Sequence, residues 1–531
     1  MSKQLAYKSL DNVGINGLNT QSNPTTLDAS WLTNADNIVL RESGRISFRK
    51  GFKQNVLANT DGAASAPLKI GAIGETEDGT IVAAVGTNMY TVDFTTPDTP
   101  WTDVHAVVSG TDSDWQMCAF KDELYCSQDG HEMLEFDASL TPSWIPMSST
   151  SGHNHTAATS ITVINPSCCL AFYGRMWAGG CSEDKGTLLY SDLLNAHKWG
   201  SGSAGFIDLH SVWDSDEIVA IAPHFGKLVI FGRHNIVIYN GPSDPSTMSL
   251  DEVITGIGCV SRDSVVAVGD DLMFMSDTGL RSLLRTTEKD KLPLTDLSLN
   301  IKDTIVRNIG QSSNIKSCYV ENEGVLVTSF VDLNITYVFD MKHTTPNQAP
   351  RITTWSTTDS YNPSCMINSS SKGFLMGQFA GSVATYEDYY DKTYISGGTY
   401  TDNPYNGTFK TVWIDLGDSV VASLLKKMKA VISGGPGTQV GVKWYKDFDV
   451  IPSRTLGFVL NPTQSGVQAL WGAATSLFGA AKYAPIYGLK EYNIPLTGSA
   501  KFLQLEMSAE TAGYTASLQD LTLLYKQGKI R

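Results

Sequence analysis

Histidines and carboxylates are the residue types from which this chain could build a hydrolytic or metal-dependent site. Residues 152–155 read Gly-His-Asn-His, as in some nuclease motifs, but the surrounding SSTSGHNHTAATS offers no paired metal ligands and no helix start. A polar surface loop is the expected structure there. Acidic pairs such as Asp216-Glu217 and Asp270-Asp271 recur, yet a glycosidase needs two carboxylates at a defined separation, which sequence alone does not pair.

One further motif, in residues 182–187, reads Ser-Glu-Asp-Lys-Gly-Thr. It matches the start of the S-x-D-x-G-x-T-W box of sialidase-like propellers, although Leu189 stands where the tryptophan is expected. In those proteins the box is a structural turn far from the catalytic centre. The match therefore predicts a turn and carries no catalytic assignment.

The cysteines are expected to be buried free thiols, because they lie in apolar, strand-like contexts where Cys behaves as a small core residue. They are Cys118, Cys126, Cys168, Cys169, Cys181, Cys259, Cys318 and Cys365. None has the C-x-x-C spacing of a structural zinc site. Phosphate-loop, H-E-x-x-H and G-x-S-x-G motifs are also absent from the sequence. We therefore predict a protein that is not an enzyme, with no catalytic residues, no cofactor and no metal site.

Composition points to many short strands joined by tight turns. The 531 residues include 47 glycines, and 18% are charged. The net charge is −15, which disfavours tight binding to nucleic acid, because phosphate contacts require Lys and Arg. No apolar run reaches the roughly 20 residues of a membrane helix, so no integral membrane association is expected.

A repeated unit of propeller size fills the middle of the chain. Each copy has three apolar runs separated by turns, and the first turns centre on Gly79, Asp122, Gly174, Gly226, Asp270, Gly324 and Gly373. Their spacing, about 43 to 54 residues, is that of propeller blades. A tryptophan could open a fourth strand in several copies, at Trp101, Trp144, Trp199 and Trp355. The prediction is a mostly β protein with a six- or seven-bladed β-propeller; the alternative is a β-sandwich array of unrelated hairpins.

Three regions follow from this repeat. Residues 53–400 are assigned to the propeller, with a helical insertion near 291–310. The N-terminal segment 1–52 and the C-terminal region 401–531 fall outside the repeat and are expected to form one β-rich platform, with the propeller an autonomous unit. Residues 423–432 fit either a short helix or a strand, and the apolar stretch 467–488 fits either an interface loop or local packing.

Four basic residues in the N-terminal segment, Arg41, Arg45, Arg49 and Lys50, could suggest a phosphate site. They alternate with apolar residues, so an exposed strand face is the favoured interpretation.

The segment GLNTQSNPTTLDASWLTNADNIVLRESGRISFRKGF (17–52) resembles the opening of tail nozzle, or tail hub, subunits of short-tailed bacteriophages, also called tail tubular protein B. IVAIAPHFGKLVIFGRHNIVIYNG (218–241) is similar to a blade of that family, and WIDLGD (413–418) and SLQDLTLLYKQGKIR (517–531) are similar to its C-terminal β region. The resemblance covers most of the chain, but rests on pattern, without an invariant motif.

The resemblance implies a structural subunit of the virion tail, assembled in the host cytoplasm. Six copies would form a ring below the head-to-tail adaptor, tail fibres or tailspikes would attach near the junction, and viral DNA would pass through the distal channel without tight binding. The family supplies no catalytic residues. The alternative is a propeller-type tail protein that binds or processes glycans.

Overall fold

The computed structural model describes residues 5–41, 45–57, 69–94, 102–105, 114–136, 144–146, 156–213, 215–287, 296–357, 362–379, 381–396, 398–417, 421–435, 437–460, 488–511 and 513–528. The stretch 152–155 and nearly all of 467–488 lie outside these ranges. In the part that is described, no helix is long and apolar enough to cross a membrane. The first six strands are short: β1 (Ala6–Ser9), β2 (Gly17–Leu18), β3 (Trp31–Asp36), β4 (Ile38–Leu40), β5 (Ile46–Phe48) and β6 (Phe52–Leu57).

Four antiparallel sheets, each of four consecutive strands, follow and form blades 1 to 4. Blade 1 contains β7 (Ile70–Glu75), β8 (Ile81–Val85), β9 (Asn88–Thr91) and β10 (Thr102–His105), and blade 2 contains β11 (Gln116–Phe120), β12 (Glu123–Gln128), β13 (His131–Phe136) and β14 (Trp144–Pro146). Blade 3 contains β15 (Cys168–Phe172), β16 (Arg175–Gly179), β17 (Thr187–Tyr190) and β18 (Gly205–Asp208). Blade 4 contains β19 (Ile218–His224), β20 (Lys227–Gly232), β21 (Asn235–Asn240) and β22 (Ser249–Thr255).

The last three blades depart from this pattern. Blade 5 has three strands, β23 (Val266–Val268), β24 (Asp271–Ser276) and β25 (Gly279–Ser282). Blade 6 has β26 (Ile315–Val320), β27 (Val325–Phe330), β28 (Ile335–Thr344) and β29 (Pro350–Trp355). Blade 7 has β30 (Pro363–Ser369), β31 (Gly373–Gln378) and β32 (Ser382–Tyr386), and its sheet continues through β6 into β33 (Asp391–Ser396) and β34 (Thr399–Asn403).

The blades close into a ring. Six of the seven pairs of neighbouring blades have a separate apolar core, and the core between blades 7 and 1 joins Leu375 and Val383 to Ile70 and Ile81. Blades 5 and 6 instead share the core of the platform. The N-terminal strand β6 pairs with β32 of the last blade, with Val56 opposite Val383. The predicted mostly β propeller with an additional β-rich platform is confirmed, and the number of blades is seven.

Local turn chemistry explains why the blades form where the repeat predicts them. All seven predicted turn centres lie between, or at the edge of, the first and second strands of a blade. In blades 3 and 4 both turn residues have positive φ: 47° and 69° at Tyr173 and Gly174, 47° and 75° at Phe225 and Gly226. This backbone twist matches that of the flanking strands, so a two-residue hairpin is favoured.

The platform consists of β1 to β5 and the C-terminal strands. The latter are β35 (Asn406–Thr411), β36 (Ile414–Asp415), β37 (Ser423–Gly434), β38 (Gln439–Lys446), β39 (Arg454–Val459), β40 (Gly488–Pro495), β41 (Ser499–Ala500), β42 (Phe502–Glu510) and β43 (Ala516–Lys526). One sheet has the order β4-β5-β43-β37-β40, and the other β2-β3-β35-β42-β38-β39. The stretch 423–432 is therefore a strand, and its alternating burial directs one face into the core.

Helices are few and short in the described ranges: α1 (His210–Trp213), α2 (Leu283–Thr287) and α3 (Lys302–Ile309), with 3-10 turns at Arg262–Ser264, Leu299–Ile301 and Val331–Leu333. Helix α3 lies within the stretch 291–310, of which residues 291–295 are not described. Its buried side chains Ile305 and Ile309 belong to the core shared by blades 5 and 6 and the platform.

Two sequence expectations need correction. Trp144 does open β14, but Trp355 ends β29, and Trp199 lies buried in the connection that precedes β18. The propeller is also less separate from the platform than predicted. Strand β29 of blade 6 pairs with β2, at Ile352 and Gly17, so blade 6 and one platform sheet are a single sheet.

Candidate functional site

A buried arginine joins the platform to blade 7. Arg49 follows β5, is fully buried, and donates from both terminal nitrogens to the carboxylate of Asp391 at 3.1 and 3.0 Å. Its Nε donates to Asn37 Oδ1 at 2.8 Å, and the guanidinium lies over the rings of Phe52 and Tyr405. Burial opposes the charge, but Asp391 outweighs it and raises the pKa of Arg49. An exposed strand face was therefore the wrong interpretation for Arg49.

The other members of that basic group border a pocket at the same junction. A cavity of about 320 Å³ lies between the β4–β5 hairpin and blades 6 and 7, and it is lined partly by Arg41 and Arg45. Arg41 Nη1 and Lys50 Nζ share the carboxylate of Glu323, at 3.6 and 2.8 Å. We call this cavity the junction pocket.

The opposite wall of the junction pocket also contains cations. Arg351 donates from Nε to Asp340 Oδ2 at 2.9 Å, and His343 Nδ1 lies 3.3 Å from the same oxygen. The permanently charged cations of the lining are Arg41, Arg45, Lys342 and Arg351, and its carboxylates are Glu323 and Asp340. The lining therefore has a net charge of +2, whereas the whole chain has a net charge of −15. The lining is therefore suited to an anionic group.

A second charged cluster crosses the propeller axis. Lys316, on the innermost strand of blade 6, donates to Gly71 O in blade 1 at 3.1 Å, to Asp263 Oδ2 at 3.0 Å and to Asp114. Arg262 donates to Ser167 O at 2.7 Å and forms two 3.0 Å contacts with Asp263. Since these groups come from the inner edges of several blades, they connect blades that are not neighbours in the ring. We call Asp114, Arg262, Asp263 and Lys316 the axial cluster.

Burial and mutual attraction act in opposite directions on the axial cluster. Burial disfavours the ionised form of Asp263, but Arg262 and Lys316 outweigh it and hold the pKa of Asp263 well below its usual range. Burial likewise opposes the charge on Lys316, yet Asp263 and Asp114 raise the pKa of Lys316. The contacts within the cluster therefore favour the charged forms of Asp263 and Lys316.

One group of potential metal ligands occurs among the residues that the structure describes. Glu123 begins β12, Glu135 lies on β13, and His197 lies in the β17–β18 connection of the neighbouring blade 3. His197 Nε2 is 2.8 Å from Glu135 Oε2 and 3.8 Å from Glu123 Oε2. The hydrogen bond with Glu135 raises the pKa of His197. The sequence prediction missed this group, because its members are far apart along the chain and follow no ligand motif.

Other sequence candidates have structural roles. Asp184, in the 182–187 motif, accepts from Gly186 N at 3.0 Å and Thr187 Oγ1 at 2.8 Å, and so fixes the turn before β17. All eight cysteines are free, and seven are buried, as expected. Asp216 accepts from the backbone amides of Arg233 and His234 at 3.0 and 2.9 Å, a turn-stabilising role.

The comparison with known proteins gives matches of low similarity, and the solved structures named here have TM-scores below 0.5. No protein-family model and no curated protein matches the chain. The Cps50 (Swd1) β-propeller domain of Myceliophteria thermophila is 11% identical, with a TM-score of 0.38 over 62% of this chain and 99% of that chain. YCF48 from Cyanidioschyzon merolae is 11% identical, with a TM-score of 0.36 over 64% of this chain and 98% of that chain. A chain of the mitotic checkpoint complex is 10% identical, with a TM-score of 0.37 over 62% of this chain and 99% of that chain.

Proposed function

We propose that this chain is a non-enzymatic structural subunit of the tail tube, or nozzle, of a short-tailed bacteriophage. In this proposal, six copies form a ring in the virion tail, the ring docks onto the head-to-tail adaptor, and tail fibres or tailspikes attach to it. The ring encloses the distal part of the channel through which viral DNA leaves.

The observation that carries the proposal is where the segments resembling nozzle subunits lie in the fold. Residues 17–52, 413–418 and 517–531 are far apart in sequence, yet they contribute β2 to β5, β36 and β43 to the platform. Residues 218–241 form three consecutive strands of blade 4. Because these separated segments meet in one unit, their resemblance to nozzle subunits is more informative than a resemblance at unrelated positions of the fold would be.

A ring requires two different surfaces on each subunit, because a head-to-tail contact joins unlike patches. The β38–β39 hairpin tip exposes 88% of Val450 and 75% of Ile451. On the propeller, the first turns of blades 3 and 4 expose Tyr173 and Phe225, and Leu194 is exposed beside the first of these turns. In the proposed ring, the hairpin tip of one subunit would contact the exposed turns of blades 3 and 4 of its neighbour.

The axial cluster also bears on the proposed DNA path. It crosses the centre of the propeller, so we place the channel on the axis of the ring, between subunits. The net charge of −15 would let DNA pass by repulsion rather than hold it.

The decisive experiment is cryo-electron microscopy of virions that contain this chain. We expect six copies per tail, below the adaptor. A chain absent from purified virions, or a ring of another symmetry, would overturn the proposal.

A variant tests the proposed contact surface. Ile451→Asp should leave the melting temperature of the isolated chain unchanged and reduce incorporation into tails, because it places a charge on the exposed hairpin tip. The matched control is Leu250→Asp, at an exposed leucine on the outer strand of blade 4. Equal incorporation of the two variants into tails would show that the hairpin tip is not part of the contact between subunits.

DNA binding provides an independent test. A fluorescence-anisotropy titration of duplex DNA at physiological salt should give a Kd no tighter than the micromolar range of non-specific binders, roughly 10⁻⁶ to 10⁻⁴ M. A nanomolar Kd would contradict passage without tight binding.

A further inference from the structure

The group formed by Glu123, Glu135 and His197 has the dimensions of a metal site. Its three ligand atoms all lie within 4.8 Å of one another. In a tetrahedral zinc site, with bonds of roughly 2.0 to 2.1 Å, neighbouring ligand atoms are about 3.3 Å apart. The distances from His197 Nε2 to the two carboxylates, 2.8 and 3.8 Å, lie on either side of that value. Small side-chain movements would therefore admit an ion.

Charge and burial favour a divalent cation at this position. Glu135 is only 6% exposed, and Tyr125, which is fully buried, donates its hydroxyl to Glu123 Oε2 at 2.6 Å and so fixes that carboxylate. Two carboxylates thus converge on a single imidazole. Carboxylate and imidazole groups at such short separations can coordinate one divalent ion together.

We propose that Glu123, Glu135 and His197 bind a divalent transition-metal ion of the zinc class, with water at the remaining position. An imidazole with two carboxylates suits zinc, whereas calcium and magnesium prefer oxygen ligands alone. The ion would tie blade 2, through β12 and β13, to the β17–β18 connection of blade 3. This inference is independent of the proposed tail function.

The test is a calorimetric titration of the untagged full chain with ZnCl₂ after EDTA treatment and dialysis. We expect one saturable equivalent at this site, and it should be weakened in both Glu123→Gln and His197→Asn. Groups that merely orient a metal ligand contribute about 10- to 100-fold in affinity, so loss of a direct ligand should cost at least tenfold. His234→Asn is the control, since that imidazole is 68% exposed and 4.0 Å from Asp277.

Further measurements keep the result unambiguous. His153 and His155 lie outside the described residues and are another pair of histidines that could bind zinc. A His153→Asn/His155→Asn variant should therefore still bind the one equivalent of zinc that His197→Asn does not bind. Zinc should also raise the melting temperature of the wild type but not of His197→Asn, since a ligand bound only by the folded state stabilises it. The proposal is overturned if His197→Asn binds like the wild type, if no saturable equivalent appears, or if Mg²⁺ competes equally.

Discussion

At the scale of single residues, buried charged side chains join parts of this chain that are far apart in sequence. Lys316 is 5% exposed and contacts groups from blades 1, 2 and 5. Arg49 is separated by 342 residues from its partner Asp391. Removing one member of such a pair leaves the other charge buried, which costs far more than removing an exposed pair.

Lys316→Met should lower the free energy of unfolding by about 3 to 5 kcal/mol, because Asp263 would lose one of its two buried cations. Urea denaturation measures the change. The matched control is Lys185→Met, which removes an exposed pair with Glu217 at 3.2 Å and should cost about 0 to 1 kcal/mol. Similar losses for the two variants would show that the axial cluster adds nothing beyond a surface pair.

The pH dependence of the stability difference between wild type and Lys316→Met follows from the directions in which the pKa values of Asp263 and Lys316 are shifted. The pKa of Asp263 is lowered in the folded state, so its contribution is present above the unfolded value, about 3.9, and is lost as pH falls through the folded value. The pKa of Lys316 is raised, so its contribution is present below about 10.4 and is lost as pH rises through the higher folded value. The stability difference between wild type and Lys316→Met should therefore be constant from about pH 5 to 9. A slope in that window would contradict the assignment.

Arg49→Lys should destabilise the protein by about 3 kcal/mol, although the charge is kept. Lysine has no planar fork for Asp391 and cannot fill the space between the rings of Phe52 and Tyr405. Thermal and urea unfolding measure the loss. Arg454→Lys, at an exposed position on the edge strand β39, should change stability by less than about 0.5 kcal/mol. Equal effects would mean that the bidentate geometry is unimportant.

The burial of single residues could be predicted where its cause lies in the neighbouring sequence. The cysteines were expected to be buried thiols because most of them lie within apolar alternation, and seven of the eight are buried. The burial of Arg49 was not predictable, because its partners Asp391 and Tyr405 are 342 and 356 residues away in the chain. The same holds for His197, which meets Glu123 and Glu135 across a blade boundary.

At the scale of elements, the first hairpin turns define the blades. Each turn combines residues that tolerate positive φ with apolar runs on both sides, and this signal is visible in sequence. The pairing of β6 with β32 left no such signal, because partners such as Asn55 and Thr385 are 330 residues apart in the chain. The parallel pairing of β29 with β2 and β3 was likewise unpredictable from local pattern.

The contact between the last and first blades can be tested at one glycine. Gly377→Ala should destabilise the protein by about 1 to 3 kcal/mol through overpacking, since its Cβ would lie 2.4 Å from Cys365 Sγ and 2.8 Å from Ile70 Cγ2. Differential scanning calorimetry measures the shift. Gly457→Ala is the control, because the nearest atom to its Cβ is Val440 O at 3.9 Å. An unchanged melting temperature for Gly377→Ala would mean that blades 7 and 1 are less tightly packed.

At the scale of the whole molecule, one apolar core extends from the propeller into the platform. It contains Met275 of blade 5 and Phe339 of blade 6, together with Trp444 and Leu523 from the two platform sheets. The other blade interfaces have separate cores. Blades 5 and 6 therefore depend on the platform for part of their burial, which the sequence repeat could not indicate.

This shared core predicts that the propeller does not fold well alone, in contrast to the expectation from the repeat. A fragment of residues 52–403 keeps every strand from β6 to β34, but it exposes the platform side of the shared core and leaves Asp391 without Arg49. It should be poorly soluble, or melt broadly and bind a hydrophobic dye, whereas the full chain should melt cooperatively. Circular dichroism, calorimetry and dye fluorescence measure these properties. A soluble fragment with a single sharp transition close to that of the full chain would show that the propeller is autonomous, and the shared core would then be a contact surface between two independent units.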